Sequence, residues 1–447
     1  MPQGRHMSRR DFIRRITATG TAGAAVPYFI PAGVLAREGR PGANDKISLG
    51  LIGCGGMGRS NLKACAGRPD VVVTGACDIW KTRRDAVVAG YPNTAKPYHD
   101  YREMLAAKDI DAVIIAAPPH WHCRMAVDAC EAGKDVYLQK PMTIHVAESF
   151  AVRNAVRRHK RVCQIGTQIH AGENYRRVVE YLRSGKLGPI SVARTFNVMN
   201  QGPEGIGSAA NGEPPADIDW ELWVGPGPMR PYNPLLVQDA YHNCSFMAFS
   251  GGWTPGMAPH IIDLPVWALD LGYPESTYCS GGRYVINDTG DAPDVQEVLW
   301  QYGDFTMTWM MSLVNSFGFD FGRGEPARRL GIYFHGTNGT LYADYGMHQV
   351  VPEGERLNDS GPPAKSIPAS PGHEYEWLDC IRTRKQPSCN PDYHCKIDVP
   401  IGLANLSMKL GRAIRFDPAN ERILDDQAAR MAVPKYRAPW KFPTDYI

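Results

Sequence analysis

The stretch Ile47-Ser48-Leu49-Gly50-Leu51-Ile52-Gly53-Cys54-Gly55-Gly56-Met57-Gly58 decides the fold. An apolar run, Ile47–Ile52, reads as a strand and leads straight into a GxGxxG turn that opens a helix. Glycines in such a turn let the backbone approach a pyrophosphate closely, and the helix N-terminus adds oriented N–H donors. Asp78 ends the next apolar run, Val71–Cys77, about twenty residues beyond Gly58, where a carboxylate meets the hydroxyls of an adenosine ribose. A carboxylate there repels a 2′-phosphate, so the pattern favours NAD over NADP; Arg59, just past the turn, argues the other way. A glycine motif alone is a weak signal. This one sits between a strand and a helix, with an acid at the right distance.

Outward from that turn, Ala112–Ala117, Asp135–Leu138 and Val162–Ile165 read as strands, separated by helical stretches such as His120–Ala132 and Ile144–His159. Strand–helix alternation predicts a parallel, doubly wound sheet over residues 46–168. After about Asn174 the alternation stops, and longer β-type runs follow: Ile190–Asn197, Val295–Tyr302, Phe305–Val314 and Gly331–Phe334. Residues 174–447 are therefore expected to form a second domain, with the C-terminal tail packing back on the first. The Pro/Gly/Asn-rich stretch 202–215 is a loop, either near a cleft or at an oligomer contact.

A chain of 447 residues, 43% hydrophobic and 21% charged, has the composition of two ordinary globular cores. Its net charge of +3 marks no nucleic-acid binder. The eleven cysteines show no paired CxxC spacing, and Cys54, Cys77 and Cys163 lie in or beside apolar runs, as small buried hydrophobes do. Without zinc-ligand spacings no metal is expected. A disulfide among Cys380, Cys389 and Cys395 is left open.

At the N-terminus, Ser8-Arg9-Arg10-Asp11-Phe12-Ile13-Arg14 resembles a twin-arginine export signal. A mildly apolar stretch, Ile16–Leu35, and the small-residue pattern Val34-Leu35-Ala36 complete the layout of a signal peptide over residues 1–36. Pro27 and Pro31 make it a poor permanent membrane span. The twin-arginine export machinery is thus an expected partner, and the location periplasmic or secreted. No pool of free dinucleotide exists there, so a redox cofactor must be held tightly and restored within each cycle.

Two further stretches carry a family resemblance. Ala117-Pro118-Pro119-His120-Trp121-His122 and Tyr137-Leu138-Gln139-Lys140-Pro141, with the glycine turn, resemble the Gfo/Idh/MocA family of oxidoreductases. Asp219-Trp220-Glu221-Leu222-Trp223-Val224-Gly225-Pro226 and Tyr436-Arg437-Ala438-Pro439-Trp440-Lys441 look like a secreted subgroup of it. The resemblance implies an N-terminal Rossmann domain and a C-terminal α/β domain with a large open, mostly antiparallel sheet. It also implies that this second domain, residues 174–447, binds substrate between its sheet and the nicotinamide and builds a homo-oligomer through the open sheet. NAD is expected against Gly53, Cys54, Gly55, Gly56, Met57, Gly58, Asp78, Ala117, Pro118, His122, Gln139 and Lys140, with Gln139 standing where the family commonly has glutamate.

Lys140, at the carboxyl end of a parallel strand, points into the ligand crevice, where an ammonium can stabilise a substrate alkoxide. The segment Gly251–Asp263 resembles the family's Asp-x-x-x-His-x-x-Asp motif. His260 matches the histidine that exchanges a proton with the substrate hydroxyl. Asp263 is expected to orient that ring or bind a sugar hydroxyl, and Gln168 to touch substrate; His170, Tyr241 and His242 are further candidates. Gly256 stands where the family has aspartate. Two readings follow: an enzyme moving hydride to and from a sugar or glycoside with retained NAD, or a non-catalytic sugar-binding protein that keeps the dinucleotide. A cytoplasmic dehydrogenase with exchangeable NAD is a third.

Overall fold

Near-continuous apolar runs form strands buried on both faces, and six of them make one parallel sheet. They are β1 (Ile47–Ile52), β2 (Val71–Cys77), β3 (Lys96–Tyr98), β4 (Ala112–Ile115), β5 (Asp135–Gln139) and β6 (Cys163–Gly166), in the order β3-β2-β1-β4-β5-β6. The computed structural model describes residues 45–318 and 329–447, and those from Ile47 onward form one compact unit. The signal segment expected at 1–36 lies outside the described residues. β4 and β5 are buried throughout, as a sheet covered on both sides requires. β3 escapes a sequence reading because Lys96-Pro97-Tyr98 is short, largely exposed and carries a proline, which only an edge tolerates. The strand order reverses between β1 and β4, which opens a crevice at their carboxyl ends. This is a Rossmann sheet.

Helices His122–Glu131 and Val146–His159 cover one face. The other is covered by Gly56–Ala66 and by a helix from far along the chain, His373–Thr383, whose Trp377, Leu378 and Ile381 pack into the core with Leu49, Leu51, Ile114 and Tyr137. Trp377 is wholly buried, edge-on to Tyr137 with ring centroids 5.6 Å apart. The C-terminal tail lies on the opposite face, with His122–Glu131 and Val146–His159: Trp440 meets Trp121 edge-on at 4.6 Å, and Tyr436 Oη donates to Glu148 Oε1 at 2.7 Å.

The second sheet contains β7 (Ile190–Asn200), β8 (Ser276–Gly282), β9 (Val295–Tyr302), β10 (Phe305–Ser312), β11 (Val314–Asn315), β12 (Leu330–Gly336), β13 (Gly339–Ala343), β14 (His348–Pro352), β15 (Ile414–Asp417) and β16 (Arg422–Ile423). Their order is β14-β13-β12-β7-β10-β9-β8-β15-β16, with β11 on β7, and among these pairs β10–β7 is the parallel one. Strict alternation along β10 puts Met307, Trp309 and Met311 inside. Helices Glu173–Arg183, Pro259–Leu269 and Pro391–Leu410 cover that inner face, while Tyr278 and Leu299 stand exposed on the outer one. All eleven cysteines are free thiols, so the disulfide left open among Cys380, Cys389 and Cys395 does not form.

Because the helix His373–Thr383 completes the first core, Trp377→Ala is expected to cost about 3–5 kcal/mol. Chemical denaturation followed by fluorescence checks this; a loss below about 1 kcal/mol would mean the helix is only a surface appendage.

Candidate active site

Four glycines of the turn have two different reasons to be glycine. Gly53 has φ +90°, and a Cβ on it would sit 2.6 Å from the Ala116 carbonyl; a Cβ on Gly58 would sit 2.1 Å from the Gly53 oxygen. Packing of turn, strand and helix forbids both. A Cβ on Gly55 or Gly56 would meet nothing within 4 Å. Those two face a cavity of about 600 Å³ at the sheet's carboxyl edge. Space kept clear by glycine at a helix N-terminus is what a pyrophosphate needs, so the residues fit a dinucleotide.

The turn residues other than Cys54 line this cavity, together with Asp78, Ala117, Pro118, His122, Gln139 and Lys140. Cys54 is a correction: its side chain is wholly buried under the turn, and its N–H is engaged by Asp78 Oδ2 at 2.7 Å. Asp78 Oδ1 accepts from the Trp80 N–H at 2.8 Å, and burial lifts the carboxyl above the usual range while these two N–H groups oppose the lift. Arg83 stacks 3.8 Å over the Trp80 ring, beside the same acid. Trp80 and Arg83 line the adenosine side of the cavity and were legible as the residues following Asp78, although the sequence reading passed over them.

At the other end, His122 is a positioning residue. Its Nδ1 lies 2.7 Å from the Pro141 carbonyl and its Nε2 2.9 Å from that of Ala117. Burial holds the ring neutral, with its pKa lowered to about 4. Both nitrogens face backbone carbonyls just past the ends of β4 and β5, and the neutral ring's single N–H donates to one of them. Gln139 Nε2 donates to Asn61 Oδ1 at 2.7 Å, and Asn61 Nδ2 donates to Glu374 Oε1 at 2.8 Å, so the amide that replaces glutamate is fixed from behind.

Lys140 Nζ donates to the Gly256 carbonyl at 2.8 Å. Burial lowers its proton affinity, and the nearest group acting against that is the Cys244 thiol. Cys244 also explains Gly256: a Cβ there would lie 2.6 Å from the Cys244 Sγ. Where the family resemblance led us to look for a carboxylate, a thiol from another segment fills the space. The Gly256 turn is itself pinned, since Thr254 Oγ1 donates to Gln296 Oε1 at 2.7 Å and accepts from Trp309 Nε1 at 3.1 Å. Nothing in sequence spacing pointed to Cys244.

His260 opens the helix Pro259–Leu269. Burial and then the charge of Lys140 hold it well below the ordinary imidazole range, although unlike Lys140 it does not line the cavity. Asp263 is a second correction. It is wholly buried, and its Oδ1 accepts from Tyr393 Oη at 2.5 Å and faces His170 Nε2 at 3.1 Å. It therefore neither orients His260 nor reaches a sugar. His170 is buried and stacked on Trp267 at 4.0 Å, away from substrate. Gln168 is exposed at the following turn but does not line the cavity; Tyr241 does, and His242 instead pairs with Asp239 at 2.8 Å. The 202–215 loop is tied down through Ile206 N–H to Asp288 Oδ2 at 2.8 Å and lines no part of the cavity.

The two classes of glycine separate experimentally. Gly55→Val is expected to leave thermal unfolding unchanged while weakening NAD binding at least about tenfold, or 1.4 kcal/mol. Gly58→Ala should lower the unfolding midpoint. Calorimetric titration and thermal scans read the two; unchanged NAD affinity in Gly55→Val would remove the dinucleotide from this cradle.

Residues 47–167 match the oxidoreductase family Gfo/Idh/MocA with its NAD-binding Rossmann fold, and residues 321–442 match the C-terminal alpha/beta domain of the same family. Inositol 2-dehydrogenase of Salmonella typhimurium is 32% identical over 155 residues, 34% of this chain and 46% of that protein. A glycosyl hydrolase family 109 protein of Shewanella putrefaciens is 27% identical over 154 residues, 33% and 34% of the two. The chain thus spans less than half the length of these curated relatives. Among solved structures, the WlbA dehydrogenase of Bordetella pertussis in complex with NADH and UDP-GlcNAcA superposes with a TM-score of 0.62 at 18% identity, over 83% of this chain and 99% of that one. The aldose-aldose oxidoreductase of Caulobacter crescentus gives 0.60 at 16%, over 83% and 100%. With a family match at each end of one continuous fold, the chain belongs to the Gfo/Idh/MocA family of NAD-binding oxidoreductases.

Proposed function

We propose that this protein oxidises a hydroxyl of a sugar or glycoside and returns the hydride within the same catalytic cycle, on NAD it does not release. The observation that carries this reading is Lys140 in the lining of the glycine-lined cavity, with His260 behind that lining and within the influence of the lysine's charge. NAD, when bound there, supplies the hydride acceptor. Lys140 donates a hydrogen bond to the substrate oxygen and stabilises the alkoxide that forms on it. His260, kept neutral by burial, accepts the hydroxyl proton. The thiol of Cys244 leaves Lys140 without a paired carboxylate, so its ammonium is free to face substrate. Relatives named for inositol and for aldoses, and one solved with a nucleotide sugar, support a polyhydroxylated substrate.

The glycosyl hydrolase relative supports the redox-neutral variant, in which transient oxidation at C3 acidifies the neighbouring C–H and permits elimination. The twin-arginine motif supports export to the periplasm or beyond, where a retained cofactor is required; cell fractionation decides that point. The exposed outer face of the second sheet, with Tyr278 and Leu299, supports a homo-oligomer.

Mass spectrometry of the denatured protein is expected to recover NAD in near-stoichiometric amount, and a panel of glycosides should include one that is turned over. Recovery of no dinucleotide together with no turnover would remove the proposal. Lys140→Ala should cut kcat by at least about a hundredfold with the fold intact. The alternative, a non-catalytic sugar-binding protein, draws on Gly256; it requires cells carrying Lys140→Ala to behave as wild type.

The two buried bases also set a pH window. Because the His260 value lies below the ordinary 6.5, activity should persist as the pH falls through 6.5 and disappear only lower. Because the Lys140 value lies below 10.5, the alkaline limb should begin before an ordinary lysine would titrate. A kcat/KM profile with an acid limb centred at or above 6.5 would contradict the assignment of His260 as the base.

A further inference from the structure

Outside the lining of the cavity, three residues far apart in sequence converge. His170 follows β6, Asp263 lies one turn along the His260 helix, and Cys389 precedes the helix Pro391–Leu410. One ligating atom from each lies within 4.8 Å of the others, and all three side chains are buried. We propose that His170, Asp263 and Cys389 form a metal site suited to zinc.

Three observations support it. The donor set is thiolate, imidazole and carboxylate, which matches a borderline-soft, four-coordinate ion better than calcium or magnesium. The spacing is also close: bonds of about 2.0–2.3 Å in a tetrahedral set put neighbouring donors roughly 3.3–3.8 Å apart, and one donor atom from each residue lies within 4.8 Å of the other two, so small side-chain rotations complete the set. Finally, His170 Nδ1 and Asp263 Oδ2 are buried with no hydrogen-bond partner among the described residues, and each is an atom through which its side chain can bind a metal. A plain hydrogen-bonded cluster would leave these atoms unexplained.

The surroundings resemble the outer shell of a metal site. Tyr393 Oη donates to Asp263 Oδ1 at 2.5 Å, Thr167 Oγ1 donates toward Cys389 Sγ at 3.7 Å, and Trp267 stacks on the His170 ring. Such contacts fix ligand orientation. Full burial excludes these residues from meeting a substrate, so the ion's work is structural. It joins β6, the His260 helix and the Pro391–Leu410 helix, and so sets the turn from which His260 projects. The linear ligand spacing argued against zinc because each donor comes from a different segment.

The test is metal content and does not depend on activity. Full-length protein from zinc-supplemented cells is expected to carry roughly one zinc per chain by elemental mass spectrometry. Protein from cobalt-supplemented cells should show a thiolate-to-cobalt charge-transfer band. Cys389→Ser should lose at least about nine-tenths of the metal and the band, while Cys380→Ser, outside the cluster, should keep both. Wild-type protein with no stoichiometric metal, or without the thiolate band, overturns the proposal even if Cys389→Ser fails to fold. Retention of metal in both Cys389→Ser and Asp263→Asn overturns it as well.

Discussion

The hydrogen bond from Lys140 Nζ to the Gly256 carbonyl is the contact on which the reaction centre depends. It joins the carboxyl end of β5, in the parallel sheet, to a turn held by Gln296 and Trp309 of the mixed sheet. A hydrogen bond from a charged donor contributes about 1.5–3 kcal/mol, less than the cost of burying an unpaired ammonium. That imbalance is why the lysine is a poorer base than it would be in water and a better partner for an oxygen that is gaining charge. No carboxylate forms an ion pair with it among the described residues. Cys244 occupies the place from which one would reach it, and the steric limit at Gly256 makes the two residues interdependent.

The same logic of close approach governs the cofactor end. Gly53 and Gly58 let the turn collapse onto Ala116, and that collapse aims the open cradle of Gly55 and Gly56. The sheet beneath is covered by a helix that arrives after residue 370, and the chain between Lys140 and that helix contributes β6 and all of the second sheet but β15 and β16. Stability and binding are therefore not separable by cutting the chain at one point. The Asn61 amide shows it in miniature, since it links the phosphate-side helix, Gln139 of β5 and Glu374 of the late helix.

What could be read from the chain in advance was whatever is local. β1, β2 and β9 occur with the bounds their apolar pattern gives, because period and turn chemistry lie within a dozen residues. The glycine turn and Asp78 could be placed for the same reason. β3 was invisible, being three residues that pair at an edge without an apolar pattern of their own. Asp263 and Cys54 were misplaced because residue type and spacing give a position on the chain and not a direction: each sits where expected and points inward. Cys244 and Cys389 could not be found at all. A cysteine gains a role only from its neighbours, and theirs come from Gly256 and His170, which the fold alone delivers.

One physical cause, burial, acts on both bases and separates their roles. Burial depresses both Lys140 and His260, and the charge of Lys140 depresses His260 further. Asp263, the nearest carboxylate acting on His260, directs Oδ1 at His170 and Tyr393 and relieves this only in part. Two protons in so small a space would repel, and an amine binds a proton more tightly than an imidazole by about four pH units before either is shifted. Lys140, the stronger base of the two by nature, is then the donor and His260 the acceptor in the removal of a single proton from a sugar oxygen. An aspartate at position 256 would pair with the lysine and blunt that difference; a glycine carbonyl and a thiol do not.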